Sequence, residues 1–216
     1  MKVYFISGLG ADERVFQRLE LPGIEQVHLG WITPLQKETF TSYAGRMTER
    51  ITDPGPIIVG LSFGGMLAVE ISKIIPVKKL ILISSAKGEK ELPAFFKMGR
   101  TIPLHKIVPT HITGVTASVL FFFLGVKDKV HRQLLQEMVN NCPAGFIRWA
   151  MDTVVHWKNT EVPANLVHIH GNTDWLLPYK NIQADHTIHK GGHSMIMSRA
   201  KEISALLQKL IPCSIS

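Results

Sequence analysis

The chain has 216 residues, 45% of them apolar and 19% charged, and carries a formal net charge of +7. That length suits one domain of ordinary size, and the apolar content excludes a disordered chain. The 17 Gly and 12 Pro follow no repeat, which excludes collagen-like and low-complexity architectures.

Lys2 to Ile6 is a short apolar run that ends in Ser7-Gly8-Leu9-Gly10, the pattern of a buried strand running into a Gly turn. Asp12 then stands where it can cap a short helix carrying Val15, Phe16 and Leu19. Ile24 to Leu29 predicts a second strand. Phe40, Tyr43, Ala44, Met47 and Ile51 fall on one helical face, and Pro54-Gly55-Pro56 stops that helix before the β-branched run Ile57-Ile58-Val59. Leu67, Ala68, Ile71, Ile74 and Ile75 predict the next helix, ending before Pro76. Lys79 to Ser84, Leu166 to His170 and Ala184 to His189 predict three more strands. Ile196, Ala200, Ile203, Leu206, Leu207 and Leu210 predict one C-terminal amphipathic helix. Strands that alternate with helices pair in parallel, and the near-continuous apolar runs mean burial on both faces.

From residue 86 to residue 163 the alternation stops. Val130, Leu134, Leu135 and Met138 predict a helix with Asp128 as its cap. Phe146, Ile147, Trp149 and Ala150 predict another. The expectation is an α/β fold: one domain over 1–216, with a mostly parallel sheet of about six strands, helices on both faces, and a helical cap inserted over 86–163.

Two cysteines, Cys142 and Cys213, are too few for a disulfide framework and too far apart for a zinc site. They read as thiols in a reducing compartment, which points to the cytoplasm. The apolar run after Lys2 is shorter than the region of about 7–15 residues in a secretory signal. Ile107 to Val126 lacks Asp, Glu, Lys and Arg but holds Pro109, Thr110, His111, Thr113, Gly114, Thr116 and Ser118. A spanning helix needs about 20 mainly apolar residues, so no membrane span is expected. Between Ala86 and Thr160, ten Lys or Arg face five Asp or Glu. No basic run there alternates with aromatics, so a solvated basic face is expected rather than a nucleic-acid site.

The chemistry starts at Gly60-Leu61-Ser62-Phe63-Gly64, a G-x-S-x-G pentapeptide between a predicted strand and a predicted helix. Such a turn is tight and strained, and it lifts the Ser62 hydroxyl clear of the sheet edge. The Phe63 amide, at the start of the helix, is placed to stabilise an oxyanion. A serine nucleophile needs a base, and the base needs an orienting carboxylate. His193, in Gly191-Gly192-His193-Ser194 after the last predicted strand, is the expected base. The other nine histidines lie within strands, beside them or in the cap. Asp174, in the loop after Leu166 to His170, is the expected carboxylate; Asp185, which starts a strand, is the runner-up. The second oxyanion donor is expected at Leu9, with Gly10 next. Trp31 is a candidate pocket wall or scaffold residue. Phe121, Phe122 and Phe123 line a tunnel or form the core of the cap, and core is favoured. His168 and His170 share a strand face, and His186, His189 and His193 cluster in sequence, but they lack the companion ligands of a metal site.

Four segments, Gly8-Leu9-Gly10, Gly60 to Gly65, His170 to Asp174 and Gly191-Gly192-His193, are similar to those of the α/β-hydrolase superfamily and come in its order. The resemblance spans nearly the whole chain except the cap. It implies a Ser62-His193-Asp174 triad and a helical lid over the strand ends. The implied activity is carboxylesterase-like: hydrolysis of an ester, thioester or lactone on a small-molecule acyl substrate, with no cofactor or metal. Ser7 stands where many members have histidine, which puts the oxyanion loop's conformation in question. The family's two leading edge strands have no counterpart, so the sheet is expected to be all parallel. Two alternatives stay open. One is carbon–carbon cleavage on the same triad, with Arg100, Arg132 or Arg148 binding an anion. The other is a receptor with a residual triad.

Overall fold

The computed structural model describes residues 1–100, 118, 121–126, 128–143 and 145–211. Cys213, His105, His111 and most of the uncharged run Ile107 to Val126 lie outside the described residues. The apolar runs form six strands: β1 (Lys2–Ile6), β2 (Glu25–His28), β3 (Ile57–Leu61), β4 (Lys79–Ile83), β5 (Leu166–Gly171) and β6 (His186–Ile188). They make one sheet in the order β2-β1-β3-β4-β5-β6, and every neighbouring pair is parallel. The observed fold is thus the expected α/β architecture with an all-parallel sheet of six strands.

Side chains alternate along a strand, and both sets are buried here. Val3, Phe5, Val59, Ile81, Ile83 and Ile169 form one layer with Val15, Phe16, Ile203 and Leu207. Tyr4, Ile6, Ile58, Leu80 and Leu82 form the other with Tyr43, Met47, Leu67 and Ile71. Helices α1 (Phe40–Thr48) and α2 (Phe63–Ser72) supply the second layer. At residue level β3 and β4 are therefore buried almost throughout.

Local chemistry sets the element ends. Thr39 caps α1 by accepting from the Ser42 amide, and Asp12 caps a short 3-10 helix, Glu13–Phe16. The expected single C-terminal helix is two, α6 (Met195–Ser198) and α7 (Ala200–Leu210), divided at Arg199, whose φ of −123° is not helical. β6 is shorter than expected. Before it starts, Asp185 Oδ2 accepts from the His168 amide at 2.7 Å, so this runner-up carboxylate is occupied at the sheet edge.

Between β4 and β5 run α3 (Ala94–Met98), α4 (Lys129–Asn140) and α5 (Phe146–His156), with no strand among the described residues. Asp128 caps α4 by accepting from the amides of Val130 and His131. Leu135, Met138, Val139 and Ile147 join the first layer, while Phe146, Ala150, Val154 and Trp157 join the second. Buried Glu70 of α2 accepts from Trp157 Nε1 at 2.8 Å, and the Glu38 carbonyl accepts from Trp149 Nε1 at 2.9 Å. The inserted helices are fastened to the body by apolar packing and by these two indoles. Phe121 is buried in the first layer, whereas Phe122 and Phe123 are exposed, so only one of the three is core. No helix among the described residues is long and apolar enough to cross a membrane.

Candidate active site

Ser62 sits between the last residue of β3 and the first of α2, with φ 52° and ψ −120°. A positive φ is costly for a non-glycine residue, and such strain collects at functional turns. Neighbouring glycines make the turn sterically feasible. A Cβ on Gly60 would lie 2.6 Å from the Gly64 carbonyl oxygen. One on Gly64 would lie 2.8 Å from the Ile6 carbonyl carbon, and closer still to the carbonyl oxygens of Ile6 and Ser7. The Ser62 amide donates to the Ile83 carbonyl at 2.9 Å, and the Ser62 carbonyl accepts from Ser85 Oγ at 2.6 Å. The elbow is held on both sides of the serine.

The structure brings Ser62, His193 and Asp174 together from three loops at the strand C-termini. Ser62 Oγ is 2.9 Å from His193 Nε2, and His193 Nδ1 is 2.7 Å from Asp174 Oδ2. A carboxylate needs a donor, so the proton resides on Nδ1 and Nε2 is left to accept from the serine hydroxyl. Two ties fix the histidine loop. Thr173 donates to the Gly191 carbonyl through both its amide and its hydroxyl, each at 2.9 Å. Ser194 donates to the Leu124 carbonyl of the inserted segment, at 3.0 Å from its amide and 2.8 Å from its hydroxyl.

Asp174 accepts three hydrogen bonds. Its Oδ1 accepts from the amides of Leu176 at 2.9 Å and Leu177 at 2.8 Å. Its Oδ2 faces His193 and also His170 Nε2 at 3.3 Å. Burial alone would raise the carboxyl's pKa. The His193 imidazole, the Leu177 amide and His170 outweigh burial and hold it below the ordinary carboxylate range. As a histidine within a strand, His170 reads from the sequence as a packed or surface residue. Its one sequence signal is the four-residue spacing to Asp174.

His168 and His170 are both fully buried, and burial pushes both imidazoles below their usual value, His168 well below it. The folded protein keeps them neutral, whereas the unfolded chain takes up protons as pH falls below about 6.5. Stability should therefore fall on acidification, by up to about 1.4 kcal/mol per pH unit for each imidazole. Urea midpoints measured from about pH 7.5 down to about pH 5 check this. A midpoint that stayed level or rose would contradict it.

Leu9 and Phe63, the expected oxyanion donors, flank the serine. A Cβ on Gly8 would stand 3.4 Å from Ser62 Cβ, which places the Gly8-Leu9 turn directly beside the elbow. Phe63 opens α2, where unpaired amides and the helix dipole favour negative charge. Ser7 Oγ donates to the Ala11 carbonyl at 2.8 Å, and Trp31 Nε1 donates to the same carbonyl at 2.9 Å. Trp31 also lies against Phe63, with ring centres 5.5 Å apart, and against Phe146 at 4.6 Å. It thus bridges the loop after β1, the residue after the serine and the first turn of α5. Among the described residues no three His, Cys, Asp or Glu side chains gather to hold a metal ion.

Comparison with known proteins agrees with this fold. No curated protein matches the sequence. Among solved structures, a lipase-esterase related protein from Clostridium acetobutylicum ATCC 824 superposes with a TM-score of 0.71 at 16% identity, covering 97% of this chain and 94% of that one. MenH from S. aureus gives 0.71 at 16%, covering 98% and 93%. A thermophilic esterase from Thermogutta terrifontis gives 0.69 at 14%, covering 97% and 88%. At such identities the likeness is one of fold. The model of the "Alpha/beta hydrolase family" matches residues 5–206, nearly the full length, and this chain belongs to that family.

Proposed function

We propose that the protein is a serine hydrolase that cleaves a carboxylic ester, or a thioester or lactone, through an acyl-enzyme on Ser62. The observation that carries the reading is the continuous relay from Ser62 Oγ to His193 Nε2 at 2.9 Å and from His193 Nδ1 to Asp174 Oδ2 at 2.7 Å.

His193 takes the proton from Ser62 as the serine oxygen attacks the acyl carbonyl. The negative charge on the tetrahedral intermediate is met by the amides of Leu9 and Phe63. His193 then protonates the departing alkoxide or thiolate as the carbonyl–heteroatom bond breaks, leaving the acyl group on Ser62. Water, deprotonated by His193, repeats the sequence and releases the acid. Asp174 fixes the tautomer and stabilises the imidazolium. Trp31 serves as pocket wall beside Phe63, and the insertion over 86–163 serves as lid. Cys142 is a free thiol, in keeping with a cytoplasmic enzyme.

Carbon–carbon cleavage would ask for an arginine free to bind an anion beside Ser62. Arg100 binds Glu89 at 2.8 Å and the Val155 carbonyl at 2.7 Å. Arg132 donates to the Val126 carbonyl at 3.0 Å, with its guanidinium over Phe121. These engagements occupy two of the three candidate arginines, while Arg148 is exposed on α5 and keeps carbon–carbon cleavage as the second reading. The test is rapid mixing with p-nitrophenyl esters of increasing acyl length, alongside acyl-CoA thioesters and lactones. A burst of p-nitrophenol equal to the enzyme concentration, followed by slower turnover, is the expected result wherever deacylation limits. Absence of turnover across all three classes would overturn the proposal.

A further inference from the structure

We propose that His170 is a positioning residue: the Leu177 carbonyl holds its Nε2–H beside the Asp174 carboxylate, and the positive end of that bond sets the face that Oδ2 presents to His193. The inference rests on the triad reading above.

His170 lies on β5, four residues before Asp174, and both side chains are fully buried. Its Nε2 is 2.9 Å from the Leu177 carbonyl oxygen and 3.3 Å from Asp174 Oδ2. Both neighbours are acceptors, so the hydrogen must reside on Nε2, whatever the tautomer preference of a free imidazole. The hydrogen is committed to the Leu177 carbonyl, and the contact with Oδ2 is electrostatic. The oxygen beside it, Asp174 Oδ2, is the one that takes the His193 Nδ1 hydrogen at 2.7 Å. Burial keeps His170 neutral, so it contributes a directed dipole and not a charge.

Geometry gives this dipole a task that the amides do not perform. The Leu176 and Leu177 amides hold Oδ1 only. They leave the carboxylate free to rock about an axis near Oδ1, and Oδ2 is the atom whose position controls the His193 ring. His170 supplies the remaining restraint on Oδ2. Leu177 takes part twice, since its amide holds Oδ1 and its carbonyl holds His170. The aspartate loop and β5 are thereby locked to one another at the catalytic acid. His168 meets the His170 ring edge-on at 5.2 Å.

The test uses two polar variants and the wild type. Glutamine can place an N–H where Nε2 stands, while asparagine is too short to reach. His170→Asn should lower kcat about tenfold or more with KM within about twofold, because the residue orients a catalytic group without touching substrate. His170→Gln should restore most of the loss. In the proton spectrum the low-field His193 Nδ1–H resonance should move in the Asn variant and return in the Gln variant. Equal kcat in both variants, tracking only their melting temperatures, would reduce His170 to a packing residue. The wild type gives an answer that needs no variant. Long-range proton–nitrogen spectra should show His170 protonated at Nε2, and a bare Nε2 overturns the inference. That spectrum is independent of turnover, so failure of the hydrolase reading and failure of the His170 assignment are separately visible.

Discussion

An alanine at position 62 should lower ester turnover by about a thousandfold or more, with melting temperature unchanged or raised. Chemistry and backbone both argue for the size and direction. Removing Oγ removes the hydroxyl that stands 2.9 Å from His193 Nε2. The Leu9 and Phe63 amides remain, and with them a small residual rate from polarisation of bound substrate. Stability is preserved because the backbone bonds that hold the elbow do not involve the hydroxyl. They run from the Ser62 amide to Ile83 and from Ser85 to the Ser62 carbonyl. Circular dichroism with initial rates on one ester measures both quantities. A Ser62→Ala protein that kept a tenth of the wild-type rate would contradict the role given to this serine.

The second large effect falls on stability. Gly64→Ala should destabilise the fold by about 3 kcal/mol or more, and with it displace the serine. The added methyl meets backbone, the Ile6 and Ser7 carbonyls, rather than the end of a flexible side chain. Relief would require α2 to move away from β1. α2 is buried at every residue from Phe63 to Ile71, so its packing against Tyr4 and Ile6 resists that movement. Gly45 is the useful control, since a Cβ there meets nothing within 4 Å. On a helix, Gly45→Ala should be neutral or slightly stabilising. Urea denaturation of the pair decides it. Similar midpoints for the two variants would show that the close approach of α2 to β1 is not the constraint described here.

The elbow was legible in the sequence because its physical requirements are local. Steric clearance at 60 and 64, the strand before and the helix after all fall within about fifteen residues. The two side chains gathered at Ser62 were legible for a different reason: each follows a β-rich run, and a parallel sheet sends every such loop to the same edge. Asp185 and Asp174 are separated by that rule, since one precedes its strand and the other follows it.

What the sequence hid depends on direction and distance. Apolar spacing runs unbroken through Ile196, Ala200 and Ile203, so nothing in it marks the break at Arg199. The aromatic run at 121–123 has one composition and two environments, and only the fold separates buried Phe121 from exposed Phe122 and Phe123. His170 alternates correctly for a core position and is indeed buried. Its polar contact lies beyond the strand end, where a period-two reading says nothing. Likewise, Trp31 and Ser7 are 24 residues apart and meet only at the Ala11 carbonyl.

The most direct measurement is the mass of the intact protein after treatment with a fluorophosphonate, with the adduct then mapped by peptide sequencing. A single adduct on Ser62 is expected, and its rate of formation should collapse in the His193→Ala protein. An unmodified chain, or an adduct at any other residue, would contradict the claim that His193 and Asp174 activate this one hydroxyl.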